Sequence, residues 1–231
     1  MCVIAVSRKG ARQPTEDELR AMFRANPHGA GYMTARGGHV EISKGFMTEA
    51  DFIHAVNYEG FGVDDPVVYH CRISTQAGTG AAMTHPFPLT NHIADCKMLD
   101  CSCPVGVAHN GIIRMTSDPR DKEYSDTAHY IAEFMHYLIR TPDDLHDPAV
   151  MDAIRRMTDS KWAIMDGSGY IATVGDFCED DGVLFSNRSY RSKQFTLSPV
   201  NTPRRVPVIY TKVRRSFEPE WTEEDFAQLD C

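Results

Sequence analysis

The chain is expected to fold as an α+β protein in which mainly antiparallel sheets are covered by helices. Two observations predict this class. The apolar patterning runs from strands to helices and back to strands, without the regular strand–helix alternation of a parallel doubly wound sheet. The short β-branched and aromatic runs are also punctuated by Gly, Asp and Asn turns, as antiparallel connections require. No strong linker divides the chain before about residue 190, so residues 1–190 are read as one domain. Residues 191–231 are read as a C-terminal extension packed on it.

The elements follow in order. Residues 2–7 are apolar and β-branched and alternate poorly, the mark of a strand buried on both faces. In "TEDELRAMFRAN", Thr15 and Glu18 stand at capping-box spacing, and Leu19, Met22 and Phe23 share one helical face. "NPHGAGYMTARGGHVEIS" reads as a hairpin about a Gly-Gly turn. "TEADFIHAV" is a helix with Thr48 and Asp51 placed as its cap. "DDPVVYHCRIST" is a strand, and "VGVAHNGIIRM" is a strand running into a turn at Asn110-Gly111. "SDTAHYIAEFMHYLI" is a helix capped at Ser125 or Asp126, and "DPAVMDAIRRM" is a further helix. "KWAIMD", "GYIATVG" and "GVLFSNRSY" close the domain as short strands.

Composition narrows the class. Of 231 residues, 42% are hydrophobic and 24% charged, as in ordinary globular proteins able to bury a sizeable core. A formal net charge of −8 argues against a general nucleic-acid or anionic-membrane binder. No apolar run approaches a membrane span, and "CVIAV" lacks the length and basic flank of a signal peptide, so the cytoplasm is expected. Seven irregularly spaced cysteines point to reduced thiols rather than a disulfide framework. Cys96, Cys101, Cys103 and His109 invite a zinc assignment, but C-x4-C-x-C lacks the paired C-x2-C hooks of structural sites. They are read as loop thiols, and no metal or cofactor is expected. The segment around residues 188–215 holds eight Arg or Lys and no acid, and an acidic stretch follows it. These two neutralise each other or face water, or they form a docking surface for an acidic partner.

The chemistry turns on Cys2. Residue two is small enough for Met1 to be removed, which would leave Cys2 with a free α-amine beside its thiol. Such an amine titrates at about 7.7–8.0, a suitable range for a general base. Four further stretches bear on it: "YHCRIST", "THPFP", "AHNG" and "SDT". Each is weak alone: a strand Arg is usually an ion pair, Asn-Gly a turn, Ser-Asp-Thr a helix cap.

Together and in this order, behind an N-terminal Cys, they resemble the glutaminase domain of class II glutamine amidotransferases, which are N-terminal-nucleophile hydrolases. The nearest look is to small stand-alone phage and bacterial members. The resemblance implies a four-layer αββα sandwich over residues 1–190. It also implies a Cys2 nucleophile attacking the side-chain amide of glutamine, and an oxyanion hole from the Asn110 amide and Gly111 N–H. Arg72 would grip the substrate carboxylate, helped by Thr75, and Asp126 would pair with the substrate ammonium. His85 would shape the pocket, with Asn187 and Tyr190 lining it and His109 packing behind. A glutamyl thioester would form and ammonia would leave, for a separate synthetase or ligase partner. Three positions depart from the family pattern: His28 stands where an acid is common, Ile73 where an aromatic is, and Gln76 where His or Ser is. Two alternatives stay open: an N-terminal-cysteine hydrolase acting on another amide, and a non-catalytic binding module of the same fold.

Overall fold

The computed structural model describes residues 2–74, 80–114 and 123–191, and the backbone of 215–216. Two sheets make up its framework. The larger contains β1 (Val3–Ser7), β2 (Ala30–Arg36), β3 (His39–Phe46), β4 (Val67–Cys71), β6 (Asp100–Cys103), β10 (Cys178–Asp180), β11 (Val183–Phe185) and β12 (Arg215–Ser216). Its order is β10-β11-β1-β4-β2-β3-β6-β12, antiparallel throughout save the terminal β12–β6 pair. The smaller, fully antiparallel sheet runs β5-β7-β8-β9, from Phe87–Pro88, Val105–Asn110, Lys161–Asp166 and Ile171–Val174.

Strand parity sorts side chains between two kinds of core. Val3 and Ala5 of β1, and Val67, Tyr69 and Cys71 of β4, pack with Leu19, Met22, Phe23, Phe52 and Ile53 of helices α1 (Glu16–Ala25) and α2 (Glu49–Glu59). The alternate residues Ile4, Val6 and Val68 face Ala108, Ala163, Met165 and Ile171 of the smaller sheet. On the outer face of that sheet, Val107, Trp162 and Ile164 pack against Tyr130, Ile131, Met135 and Ile154. These come from α3 (Asp126–Tyr130), a π-helical turn (Ile131–Met135) leading into α4 (His136–Leu138), and α5 (Pro148–Thr158). With both faces of β1 covered, its unbroken apolar run is explained.

The local signals act as their chemistry dictates. The Thr15 hydroxyl accepts from Glu18 N–H while the Glu18 carboxylate receives Thr15 N–H, a reciprocal capping box. Thr48 caps α2 and Ser125, rather than Asp126, caps α3. Gly37 and Gly38 both take positive φ in the β2–β3 turn. Four strands were not expected from the sequence, the two-residue β12 among them. β10 and the two-residue β5 are too short to carry a periodic signal. β6 holds Cys101 and Cys103, which are therefore buried strand residues rather than loop thiols. The six described cysteines are all free thiols. Among the described residues no helix is long and apolar enough to cross a membrane, and no three His, Cys, Asp or Glu are grouped to hold a metal ion.

Candidate active site

Strand parity and direction assemble one polar site at an edge of the interface between the sheets. β1 and β4 are antiparallel with Val3 opposite Cys71, so the residue before β1 and the residue after β4, Cys2 and Arg72, meet at the same end. Continuing the alternation, both fall on the side facing the smaller sheet. On β7 the inward residues include Gly106 and Ala108, and the next in that series is Asn110. A Cβ on Gly106 would lie 2.7 Å from Met33 Sδ and 2.8 Å from Val40 Cγ1, which shows how closely the sheets approach.

Cys2 is half-buried. Its thiol donates to Ile73 C=O at 3.6 Å and its sulfur receives Ile73 N–H at 3.4 Å. Burial raises its pKa above the ordinary thiol value, and the Ile73 amide and the Arg72 charge only partly oppose this. The resting group at neutral pH is therefore a thiol, and a nucleophilic role requires a base. Arg72 is 4% exposed, and its Nη2 donates to Ser74 Oγ at 3.3 Å. Burial lowers its pKa, while the Cys2 and Asp126 charges, both within electrostatic reach, raise it.

Asn110 ends β7 and is buried; its Nδ2 and Ser186 Oγ lie 2.8 Å apart, and its Oδ1 has no hydrogen-bond partner. Gly111 follows, and a Cβ there would collide with Ser160 and sit 2.9 Å from His109 Nε2, so only glycine fits. Asp126 opens α3; its Oδ2 accepts Ile113 N–H at 2.7 Å and its Oδ1 accepts Thr127 N–H at 2.8 Å. The acid is thereby tied to the chain two residues beyond Gly111.

Residues after β11 close the site, and sequence reasoning missed one of them. Ser186 Oγ accepts Ile4 N–H at 2.8 Å, and Asn187 Nδ2 donates to Cys2 C=O at 2.6 Å. Lys161 Nζ donates to Ser186 C=O at 2.6 Å. The "SN" pair thus joins the start of β1 to the end of β7. Its only trace in the sequence is a pair of small polar residues ending an apolar strand.

Other expected positions fall elsewhere. His85 is buried in a ring column, 4.3 Å from the His70 centroid and 4.5 Å from that of Phe87, and neither ring nitrogen has a partner among the described residues. It touches neither Cys2 nor Asn110 by hydrogen bond. Tyr190 does not line the site: it stacks on Phe185 with centroids 3.7 Å apart and donates to Asp180 Oδ2 at 2.6 Å, on the face covered by α1. His109 packs on Trp162 at 4.2 Å, and its Nδ1 lies 2.8 Å from Thr127 Oγ1. His28 accepts Ser74 N–H through Nδ1 at 2.9 Å, and its backbone N–H reaches Arg72 C=O at 2.9 Å, so it braces the turn after Arg72. Met1, Thr75, Gln76 and most of the basic segment lie outside the described residues.

Burial holds His70 and His109 at a pKa of about 3 and His85 well below the usual value, so all three are neutral. None is hydrogen-bonded to Cys2. The arrangement places the Cys2 thiol and the Asp126 carboxylate within electrostatic reach of the Arg72 guanidinium, and ties Asn110 through Ser186 to the strand that follows Cys2, with no histidine bonded to the thiol among the described residues. No protein-family model matches the chain, and no curated protein matches it.

Proposed function

We propose that this chain is a glutaminase of the class II amidotransferase type, with an N-terminal-nucleophile αββα fold. The observation carrying this reading is the convergence of Cys2, Arg72, Asn110-Gly111 and Asp126, from four separate chain segments, at one end of the packed sheets. The layer order of helices, sheet, sheet and helices supports the fold assignment. A cation and an anion beside one another suit the zwitterionic end of an amino acid better than an uncharged amide.

In this reading Met1 is removed and the exposed α-amine of Cys2 takes the thiol proton, directly or through water. The raised thiol pKa makes this base necessary, and since no histidine among the described residues is hydrogen-bonded to Cys2, the amine is the group to supply it. Sulfur attacks the γ-carboxamide carbon, and the C–S bond forms as the carbonyl oxygen becomes an oxyanion. Asn110 and Gly111 N–H stabilise that charge; a donor of this kind contributes about two to three orders of magnitude in rate. The ammonium form of the amine returns the proton to nitrogen, the C–N bond breaks, and ammonia leaves. Water then cleaves the thioester to glutamate and restores the thiol. The ammonia serves a separate synthetase or ligase.

The test is glutamine turnover by the purified chain beside Cys2→Ala, following ammonia and glutamate, with mass spectrometry of the N-terminus. Ammonia release by a chain lacking Met1, abolished in Cys2→Ala, is the expected result. Equal turnover of an uncharged amide, or a fully retained methionine with no turnover, defeats the proposal.

A further inference from the structure

The hydrogen-bond inventory around Ser186 leaves two polar groups unsatisfied among the described residues when the nitrogen of the Asn110 amide faces it. A serine hydroxyl offers one donor and two acceptor lone pairs. The backbone N–H of Ile4 is a fixed donor and occupies one lone pair of Ser186 Oγ at 2.8 Å. With Asn110 Nδ2 as a second donor at 2.8 Å, the hydroxyl proton of Ser186 has no acceptor among the described residues. Asn110 Oδ1, also buried, is then left with no donor. Rotating the amide by half a turn lets Ser186 O–H donate to Oδ1 and leaves the Nδ2 hydrogens in the buried space that Oδ1 had filled, with no acceptor there among the described residues, as a donor awaiting a substrate oxygen would be.

We infer that Ser186 is a positioning residue that fixes the Asn110 amide with its N–H bonds facing the reacting carbonyl. The logic is a two-step relay. Ile4 N–H occupies one of the two lone pairs and cannot use the hydroxyl proton of Ser186, which still needs an acceptor; the oxygen of Asn110 is the acceptor within reach once the amide turns it to Ser186, and the amide then presents its hydrogens to the other side. The opposite orientation would present a carbonyl oxygen to a developing oxyanion and repel it. Because Ile4 stands two residues from Cys2, the same hydroxyl ties the oxyanion donor to the strand that carries the nucleophile. The neighbouring Asn187, bonded to Cys2 C=O, completes that tie.

This inference rests on the glutaminase reading, and its test has two arms. In steady-state kinetics with glutamine, Ser186→Ala is expected to lower kcat about 10- to 100-fold with KM within about threefold, since the lost effect is confined to the transition state. In an Asn110→Ala background the same substitution should change kcat less than about twofold, because the residue it positions is gone. Ser186→Thr, which retains the hydroxyl, should restore most of kcat. An unchanged kcat in Ser186→Ala overturns the inference, as does an equal fall in the Asn110→Ala background. The second arm is independent of turnover and of variant folding. In the labelled wild-type chain, proton NMR should show no strong through-space contact between the Asn110 side-chain amide hydrogens and the Ser186 β-hydrogens; a strong contact places Nδ2 on Ser186 and overturns the inference. A wild-type chain that releases no ammonia defeats the glutaminase reading instead, and the NMR arm still decides the orientation.

Discussion

Arg72 is the residue at which charge, burial and shape are most closely linked. Its side chain is almost wholly buried, and burial lowers its basicity, which the Asp126 carboxylate within electrostatic reach opposes. Arginine remains protonated where lysine would yield, and its planar fork matches a carboxylate in two bonds. Arg72→Lys preserves the positive charge beside the thiol but removes the fork. The expected outcome is a KM for glutamine raised about 10- to 100-fold with kcat changed much less, because a clamp on the distant carboxylate acts equally in ground and transition states. Steady-state kinetics check this; a fall confined to kcat would instead assign Arg72 to the reacting amide. Sequence spacing alone picks out this arginine only weakly. What distinguishes it is the strand parity that turns it inward, opposite Cys2.

At the scale of elements, α3 carries the acid of the site on a short helix. Five α-helical residues pass into a π-helical turn, so α3 has little intrinsic stability and depends on its cap and its packing. The Ser125 hydroxyl accepts Ala128 N–H at 3.2 Å, and Asp126 then holds Ile113 N–H. Ser125→Ala should cost about 1 kcal/mol of stability, a Tm lowered by about 2–4 °C in a domain of this size. Since the cap also sets where Asp126 stands, the loss should be accompanied by a weaker KM for glutamine. Differential scanning calorimetry and kinetics on one variant check both; an unchanged Tm contradicts the cap. The capping pattern was legible because Ser-Asp-Thr before an apolar run is a local signal. The π-turn was not, because it changes no residue type.

For the whole molecule, the interior carries an unusual load of neutral imidazoles. His70, His85 and His109 are buried, with His70 and His109 held at about 3 and His85 well below its ordinary value, all through desolvation first. An unfolded histidine titrates near 6.5. Above that pH neither state binds the proton, and the stability of the neutral interior is fully present. As pH falls below about 6.5 the unfolded chain takes up protons that the folded chain refuses, so stability is lost progressively towards pH 3. Each group contributes up to about 1.4 kcal/mol per pH unit, so three give about 4 kcal/mol per unit between pH 6 and 5, a large part of the roughly 5–15 kcal/mol that holds an ordinary domain folded. Denaturant midpoints at pH 7, 6 and 5 check this, and a flat profile across that range contradicts it. A second buried base, Lys44, is brought down to about 7 by burial while its Nζ donates to Ala82 C=O at 3.0 Å and Cys96 C=O at 2.6 Å. Its stem lies within a strand whose pattern gives no hint of it.

Elements with local signals could be read along the chain alone. The β2–β3 hairpin follows from its Gly-Gly turn, α1 and α2 from their threonine caps, and β1 from an apolar run that only two-sided burial explains. Cys2, Arg72, Asn110, Gly111 and Asp126 were singled out by the resemblance of four short stretches, taken together and in order behind Cys2, since each stretch alone is an ordinary strand, turn or cap. Their proximity is a matter of the tertiary structure: strand register sets Cys2 near Arg72, and Ser186 links Asn110 to Ile4, 182 positions away from that serine. It moved Cys101 and Cys103 from a loop into β6, placed His85 in the interior and turned Tyr190 onto Phe185. It also revealed Ser186, whose importance lies wholly in which atoms surround one hydroxyl. Hydrogen-bond satisfaction in a buried space is a property of three-dimensional neighbours, and no pattern along the chain encodes it.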